Sequence, residues 1–431
     1  MTVGVGYGSS NLPACRANGT IGKVRPMSDS ADPPAPQTLW HYAFAAAQVL
    51  SVALFISFAV MMHGWMFADP GEMTEAGDFT SFYAASDLSL HGRAADTYSE
   101  PPHYTAQKAL FRNLDRGYLT FMYPPIFLLL CLPFALLPFV VMTAVWLVAT
   151  AAAYVAAIFA VLPRPSHAVL FLCYPAVFVN AGYGQNGALS AALLGFAAWS
   201  LDRRPMLAGM CFGLLSYKPH LGLLVPLTLL ITGRWRAFIT ATLTVLVLAG
   251  VTTLVFGPEI WAAYTGRADD ARRWLESDDV NYLDKWISLY GAIRLHGGSL
   301  PLAYGAQAVL GVLAGGAFFL TLWRRRAGYG YRGRGDAQVA ALTATIPFCT
   351  PFLLEYDLLI LAVPMAWLVG EGVRTGFRRG EIFALVFAFA MPALFKITIW
   401  NNGFKLLVTA SSLALLVVVL RRIWVSEPGA R

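Results

Sequence analysis

The sequence has few charged residues for its length. Asp, Glu, Lys and Arg make up 13% of the 431 residues, whereas an average soluble chain is about 25% charged. Hydrophobic residues reach 57% and the mean hydropathy is +0.58. This composition excludes a free cytosolic enzyme, a disordered protein and a nucleic-acid-binding domain. It predicts an all-α integral membrane protein that crosses the bilayer many times.

Cysteine is also scarce, and several common motifs are missing. The chain has five cysteines, four of which lie inside apolar runs. No CxxC and no Cys/His spacing indicates a metal site or a disulfide framework. The sequence contains neither a P-loop nor a Rossmann fingerprint, and no internal repeat stands out. No short apolar segment with a small-residue cleavage site precedes the first long apolar run, so we expect no cleaved signal peptide.

The apolar runs define the predicted organisation of the chain. Residues 1–39 are rich in Gly, Ser, Pro and Asn and are predicted to form a disordered cytoplasmic tail. Residues 40–424 form the predicted membrane domain, and 425–431 form a second cytoplasmic tail. Two long polar stretches, 68–120 and 257–300, interrupt the apolar runs. Long loops in compact membrane proteins are usually functional, so both stretches are candidates for site residues.

Arginine clusters predict the orientation of the chain. From residue 202 onward, every second connection between apolar runs carries such a cluster, and the positive-inside rule places all of them in the cytoplasm. The resulting prediction has about twelve transmembrane helices plus a re-entrant segment at 168–185, with both termini inside and both long loops outside. The clusters are Arg203/Arg204, Arg234/Arg236, Arg324–Arg326 with Arg332/Arg334, Arg374 with Arg378/Arg379, and Arg421/Arg422.

Four groups of polar residues lie at the predicted extracytoplasmic ends of spans, where such groups are costly and usually functional. Gln and Asn amides suit sugar hydroxyls, because they both donate and accept hydrogen bonds. A Lys and a His at a membrane boundary suit a phosphate. The groups are Gly77-Asp78-Phe79-Thr80-Ser81-Phe82-Tyr83, Gly184-Gln185-Asn186-Gly187, Tyr217-Lys218-Pro219-His220, and Pro351 to Asp357, which includes Glu355-Tyr356-Asp357.

Each group also has a purely structural interpretation. Asp78 precedes a predicted helix and could act as its N-cap. The Asn-Gly pair at Asn186 is typical of a turn, and Lys218 could extend its ammonium toward the lipid headgroups. The stretch around Tyr356 could be an ordinary short loop. Because all four groups fall on the face that carries the long loops, their convergence favours function over these separate alternatives.

That geometry suits an enzyme acting on a lipid whose head group lies at the outer surface. A flippase or secondary transporter of a lipid-linked sugar is the alternative, but transporters tend to place ionisable groups near the bilayer midplane. A polysaccharide polymerase or ligase is a third hypothesis, although such enzymes depend on external Arg or His rather than on an early Asp.

Five stretches of this sequence resemble glycosyltransferase family 87, and the resemblance covers residues from about 75 to 420. The most specific part combines GQNG, a glycine-rich span and YKPH at their spacing within residues 182–230. The stretches are GDFTSFY, FMYPPIFLLLCLPF, GYGQNGALSAALLGFAAW, DRRPMLAGMCFGLLSYKPHLGLLVPLTLL and PFLLEYDLLIL.

The resemblance implies a GT-C fold and an inverting transfer of a hexose, with mannose as the expected sugar, from a polyprenyl-phosphate donor to a lipid or glycan acceptor. Such enzymes carry an essential acid in the first external loop, and Asp78 occupies that place here. It would act as general base on the acceptor hydroxyl. Lys218 and His220 would bind the donor phosphate, Gln185 and Asn186 would orient the sugar, and the supporting residues would be Tyr83, Glu355, Tyr356 and Asp357.

The resemblance further implies a bacterial plasma membrane protein whose active site faces the outside. The expected partners are the donor, the acceptor and the lipid bilayer, with no nucleic acid. We expect no cofactor and no metal. The acid pair Asp278-Asp279 in the second loop could bind a divalent cation, but exposed acid pairs are usually just solvated.

Overall fold

The structure is a computed structural model that describes residues 77–110, 117–279, 283, 285–327, 334–397 and 401–425, with six isolated positions between 42 and 56. Every residue from 77 onward that it describes belongs to the unit Pro34–Arg431. The predicted tail 1–39, most of the first predicted span (41–67) and nearly all of the C-terminal tail lie outside the described residues.

The described residues are helical and contain no β-strand, only an isolated antiparallel bridge between Trp286 and Leu354. The all-α prediction is therefore confirmed for this part of the chain. Short 3₁₀ helices lie at Ala94–Tyr98, Phe134–Leu136, Leu215–Tyr217, Ile346–Phe348 and Glu355–Leu361. The α-helices are α1 (Phe79–Leu90), α2 (Glu100–Leu110), α3 (Pro125–Cys131), α4 (Phe139–Val161), α5 (Pro165–Leu172), α6 (Pro175–Gly182), α7 (Gly187–Ser200), α8 (Pro205–Leu214), α9 (Pro219–Gly222), α10 (Val225–Ile231), α11 (Trp235–Phe256), α12 (Glu259–Thr265), α13 (Ala268–Glu276), α14 (Leu289–Leu295), α15 (Leu300–Ala327), α16 (Gly335–Thr345), α17 (Ala362–Thr375), α18 (Glu381–Ile397) and α19 (Asn401–Val425).

Five of the described helical segments are long and apolar enough to cross a membrane. Among the described residues, the other apolar helices have 10–17 residues, fewer than the about 20 that a span needs. The predicted number of twelve spans is therefore not confirmed and stays a prediction. The five segments are Phe139–Val161, Trp235–Phe256, Leu300–Arg324, Glu355–Thr375 and Lys405–Val425.

The predicted re-entrant segment 168–185 is broken in the middle. Helices α5 and α6 meet at Tyr174, where Pro175 opens α6. Proline suits the first turn of a helix but cannot continue a preceding one. The Tyr174 hydroxyl donates to the carbonyl of Leu358, 3.3 Å away. The break thus attaches this segment to the start of the Glu355–Thr375 helix, which is almost entirely buried.

Small residues allow α8 and α11 to pack closely. A Cβ atom on Gly209 would lie 2.5 Å from the carbonyl oxygen of Ala237, and one on Gly213 would lie 2.5 Å from the Cβ of Thr244. The two glycines are four residues apart and so share one face of α8. Close backbone approach through such small-xxx-small pairs stabilises helix pairs in membranes, where lipid gives no hydrophobic drive to association.

The arginine clusters meet at one end of the helix bundle. The carboxylate of Asp202, next to the first cluster, accepts hydrogen bonds from Arg234 and from the backbone N–H of Gly335, both at 2.6 Å. These contacts join three connections that are far apart in the sequence. They agree with the predicted placement of the clusters on a single face.

A second set of ion pairs completes that end. The carboxylate of Glu371 lies 2.7 Å from Arg334 and 2.7 Å from Arg374. The buried side chain of Arg422 pairs with the buried carboxylate of Glu381 and donates to the Glu371 carbonyl at 2.9 Å. Each of the five arginine clusters therefore has a residue that makes one of these contacts, or lies next to a residue that does.

Three helical passes connect this end to the other end of the bundle. Helix α7 begins directly after Asn186 and ends just before Asp202. Helix α8 runs in the opposite direction and leads, through the 3₁₀ turn Leu215–Tyr217, to Lys218. The helix that begins at Glu355 ends near Arg374. The residues predicted to form the site therefore lie at the end of the bundle opposite the arginines.

Candidate active site

A cavity of about 380 Å³ opens at that end of the bundle. All four polar groups identified from the sequence contribute to its wall, although the chain separates them by up to 279 residues. Of the nine predicted site residues, seven line the cavity: Asp78, Gln185, Lys218, His220, Glu355, Tyr356 and Asp357. The predicted convergence of the four groups is therefore present in the fold.

Two glycine turns place Asp78 against the GQNG segment. The Asp78 backbone N–H donates to the carbonyl of Tyr183 at 2.8 Å. Gly77 and Gly184 have φ values of +63° and +65°, which favour glycine. Neither position has room for a side chain either, since a Cβ on Gly184 would lie 2.7 Å from the Cβ of Phe79.

The Asp78 side chain does not cap helix α1. Although Asp78 occupies the N-cap position, its carboxylate makes no hydrogen bond to the backbone N–H groups of the helix. One carboxylate oxygen instead accepts from Nε2 of Gln185 at 2.9 Å, and the residue lines the cavity. The structure therefore does not support the N-cap interpretation of Asp78.

The Gln185 amide is held from both sides. Its Oε1 accepts from the Tyr123 hydroxyl at 2.9 Å and from the backbone N–H of Asn186 at 3.3 Å. A backbone N–H can only donate, so the oxygen must face Asn186 and the NH₂ group must face Asp78. Tyr123, Gln185 and Asp78 thus form one hydrogen-bonded chain along the cavity wall.

A buried ion pair lies beside this chain. The Lys218 ammonium is 2.5 Å from Oδ1 of Asp357, and the two side chains are 3% and 2% exposed. The ammonium also lies over the ring of Tyr356, 4.8 Å from its centre. The Asp357 carboxylate therefore offsets the Lys218 charge. Pro219 supports the geometry, because it ends the preceding helix at Lys218.

His220 and Glu355 occupy the same cavity wall. Nε2 of His220 is buried and has no hydrogen-bond partner among the described residues. Glu355 accepts a long hydrogen bond of 3.4 Å from the Tyr183 hydroxyl. Glu355, Tyr356 and Asp357 form the first turn of a 3₁₀ helix that leads into α17.

Asn186 and Tyr83 do not line the cavity. Asn186 is fully buried at the start of α7. Its neighbour Gly187 allows close contact there, because a Cβ on Gly187 would lie 2.3 Å from the carbonyl oxygen of Tyr356. The Tyr83 hydroxyl donates to the Leu137 carbonyl at 2.8 Å, away from the site. Both residues thus contact the surrounding structure rather than the cavity, and their predicted roles stay predictions.

The first polar loop is held by a buried histidine that the sequence did not single out. Nε2 of His103 lies 3.1 Å from the Ser81 carbonyl, which can only accept, so Nε2 carries the proton. Nδ1 then accepts from the Tyr118 hydroxyl at 3.1 Å. Burial lowers the pKa of His103 to about 4 and raises the pKa of Tyr118. Ser81 and Tyr118 line the cavity, so His103 stabilises its wall.

The second polar loop supplies the opposite wall. The Ile287 N–H donates to the Leu353 carbonyl at 3.0 Å, next to the bridge between Trp286 and Leu354. The Trp286 ring packs edge-on against Trp274, with 4.5 Å between ring centres.

Sequence reasoning missed these residues, since Trp and Tyr at span ends usually form interface belts. Tyr123 was missed as well, although its Tyr-Pro-Pro context marks the start of α3.

The acid pair of the second loop lies outside the cavity. Asp278 forms an ion pair with Arg294, and its side chain is 90% exposed. Within the described part of the chain, no group of three or more His, Cys, Asp or Glu residues could hold a metal ion.

The family model for glycosyltransferase family 87 matches residues 121–351, which is more than half of the chain. The match contains Tyr123, Gln185, Lys218 and His220, and it ends shortly before Glu355. No curated protein and no solved structure matches the chain.

Proposed function

The chain belongs to glycosyltransferase family 87, and on that premise we propose that it transfers a hexose from a polyprenyl-phosphate donor to a hydroxyl group of a lipid or glycan acceptor. Asp78 is the proposed general base. The observation that carries this proposal is the position of the Asp78 carboxylate, which lines the cavity and is oriented by Gln185 at 2.9 Å.

The reaction is a single displacement in which the proton and the electron pair are both accounted for. The Asp78 carboxylate takes the proton of the acceptor hydroxyl, and the acceptor oxygen forms a bond to the anomeric carbon. The bond from that carbon to the phosphate oxygen breaks, and its electron pair leaves with the polyprenyl phosphate. Attack from the face opposite the leaving group inverts the anomeric centre. Mannose is the proposed hexose.

The leaving phosphate needs positive charge but no proton. Negative charge develops on its oxygen as the bond breaks, and preorganised cations stabilise that charge. Lys218 and His220 line the cavity and are the proposed phosphate contacts from the YKPH segment. Gln185 would orient the sugar through its amide. Asn186, Tyr83, Glu355, Tyr356 and Asp357 would support these groups.

A lipid-linked donor fits the location of the cavity. It opens at the end of the helices, where a head group at the membrane surface meets a chain within the bilayer. Because the arginine clusters gather at the opposite end, the positive-inside rule supports a cavity on the extracytoplasmic face of a bacterial plasma membrane, with cytoplasmic termini. The proposed partners are the donor, the acceptor and the bilayer, and the proposed chemistry uses neither a metal nor a nucleic acid.

The distribution of buried charge favours an enzyme over a lipid-linked-sugar transporter. In the described part of the chain, buried charged side chains lie near the cavity and its loops or among the arginines, as Asp357 and Glu381 illustrate. Transporters usually hold their substrate and coupling ions near the bilayer midplane. No described residue provides such a charge midway along the helices.

The test is sugar transfer by the purified protein in lipid nanodiscs, with radiolabelled polyprenyl-phosphate mannose and a host lipid extract. Asp78→Asn should lower the rate by roughly 10²-fold or more, as expected for loss of a general base. The matched control is Asp87→Asn, because Asp87 lies on the same helix with a 46% exposed side chain outside the cavity.

Each outcome has a separate meaning. An intact rate in Asp78→Asn would move the base to Glu355 or Asp357. Movement of intact lipid-linked sugar across vesicle membranes, without transfer, would replace the enzyme proposal by the transporter.

A further inference from the structure

The cavity wall carries more acids than lysines, and the lysine of the YKPH segment is already paired with one of these acids. Three acids line it: Asp78, Glu355 and Asp357. The lining lysines are Lys218 and Lys285. Asp357 already offsets Lys218 at 2.5 Å, so a phosphate that binds Lys218 must compete with a buried carboxylate.

Lys285, from the second polar loop, is in a different situation. It lines the same cavity and is partly buried, yet within the described residues its ammonium makes no ion pair and no hydrogen bond. Arg272 of the same loop, by contrast, is paired with Glu276 at 3.1 Å. A partly buried, unpaired cation on a cavity wall interacts with an anion more strongly than an exposed cation does.

The backbone on both sides of Lys285 is held in place. On one side, the Leu283 carbonyl accepts from the buried Lys405 ammonium of α19 and from the Trp286 N–H at 3.3 Å. On the other side, Trp286 forms the bridge to Leu354, and Ile287 pairs with the segment preceding Glu355. The backbone next to Lys285 is therefore bonded to the segment that leads into Glu355 and Asp357, two of the acids that line the cavity.

We propose that Lys285 binds the phosphate of the lipid-linked donor and stabilises the negative charge that this phosphate gains as it leaves. The inference rests on the proposed function, because it assumes a donor that carries a phosphate. It adds to that function a residue from the second loop, which approaches the cavity from the wall formed by Trp274 and Trp286. Lys218 remains a proposed phosphate contact, and it also holds Asp357 and the Tyr356 ring in place.

The test measures binding of the leaving group rather than sugar transfer. Farnesyl phosphate is the probe, and farnesol, which has the same chain without the phosphate, is the chemical control. Binding of each to the purified protein in nanodiscs is measured for wild type, Lys285→Gln, Lys285→Arg and Arg272→Gln. Arg272 is the matched control, because it is an exposed cation of the same loop that does not line the cavity.

We expect Lys285→Gln to weaken farnesyl phosphate binding by about tenfold to a hundredfold, the range for loss of a charge-assisted hydrogen bond. Farnesol binding should stay unchanged. Lys285→Arg should retain most of the affinity, and Arg272→Gln all of it. The thermal unfolding midpoint of each variant shows whether the fold is intact. If Lys285→Gln unfolds, Lys285→Met, which removes the charge but keeps most of the apolar side chain, takes its place with the same expected loss.

Three results would overturn the inference, and they differ in what they mean for the proposed function. Equal farnesyl phosphate affinity in wild type and Lys285→Gln would assign the phosphate to Lys218 and His220 and leave the proposed function standing. The same holds if farnesol binding falls as much as farnesyl phosphate binding. If wild type itself does not bind farnesyl phosphate, both the inference and the proposed donor class are wrong.

Discussion

Lys218 and Asp357 are 139 residues apart in the chain, and their charged atoms lie 2.5 Å from each other in the wall of the cavity. Both side chains are almost fully buried. Asp357 also accepts from the Leu354 N–H at 3.3 Å, which ties the pair to the start of the 3₁₀ helix. The ion pair thus connects the YKPH segment to the 3₁₀ helix that carries Glu355. We therefore expect its loss to affect the stability of the site first.

Removing one member of this pair should destabilise the protein. Lys218→Met would leave the Asp357 carboxylate buried without its counter-ion, which typically costs about 3–5 kcal/mol of unfolding free energy. The double variant Lys218→Met/Asp357→Leu should recover a large part of that loss, because no uncompensated charge remains. Thermal unfolding in nanodiscs measures both.

The control for that comparison is Lys108→Met, since Lys108 is exposed on α2 and should change stability little. A double variant as unstable as Lys218→Met alone would contradict the ion-pair explanation.

The Gln185 amide should matter for rate more than for stability. Gln185→Leu removes the donor to Asp78 and the acceptor for Tyr123. Loss of a hydrogen bond to a charged group corresponds to about 1.5–3 kcal/mol, so kcat/KM should fall by roughly 10- to 100-fold. Gln338→Leu is the control, because Gln338 lies at the arginine end and contacts Arg234. A normal rate in Gln185→Leu would mean that Asp78 needs no orientation by this amide.

Gly187 should tolerate no side chain. In Gly187→Ala, the new Cβ would lie 2.3 Å from the Tyr356 carbonyl oxygen. Either α7 or the 3₁₀ helix must then move, so we expect a loss of about 1–3 kcal/mol of stability together with reduced transfer activity. Gly250→Ala is the matched control within a helix, since nothing lies within 4 Å of a Cβ there.

The Gly250 substitution should be neutral or slightly stabilising, because Ala forms helices better than Gly. Unfolding midpoints of the two variants make the comparison. If Gly187→Ala were as stable and as active as Gly250→Ala, the close approach of α7 to Tyr356 would not constrain the site.

His103 should make the stability of the protein depend on pH. The imidazole takes a proton near pH 6.5 in the unfolded chain, but only near pH 4 in the folded protein, because burial lowers its pKa. The unfolded state therefore binds more protons between these values. The contribution of His103 is complete above pH 6.5 and is lost as the pH falls toward 4, which amounts to about 2 kcal/mol at pH 5.

Unfolding of wild type and of His103→Gln between pH 7.5 and 4.5 tests this linkage. The variant should show a smaller decline toward acid pH than wild type. His91→Gln is the control, because the His91 side chain is 70% exposed. Parallel pH profiles for wild type and His103→Gln would show that another group causes the decline.

Much of the site could be predicted because polar residues stand out against an apolar chain. Asp78, Gln185, Lys218 and Asp357 interrupt runs that otherwise suit a bilayer, and placing polar groups there is costly. Tyr123 and Trp286 could not be selected in the same way. Aromatic residues are common at span ends, and only their contacts distinguish these two from the others.

The number of spans shows a different limit. Helices begin at or directly after Pro138, Pro175 and Pro219, because proline suits the first turn of a helix and interrupts a preceding one. The resulting pieces are too short for length alone to decide which of them cross the membrane. Hydropathy reports how apolar a segment is, but not whether lipid or protein surrounds it.

The sequence by itself determined that this is a helical membrane protein with four polar segments and with arginines in alternate connections. Those features follow from composition and local pattern, which need no knowledge of long-range contacts. Only the tertiary structure decided which charges remain available in the cavity. Asp357 offsets Lys218 while Lys285 stays unpaired among the described residues, because electrostatic pairing depends on distances between segments that the chain order leaves open.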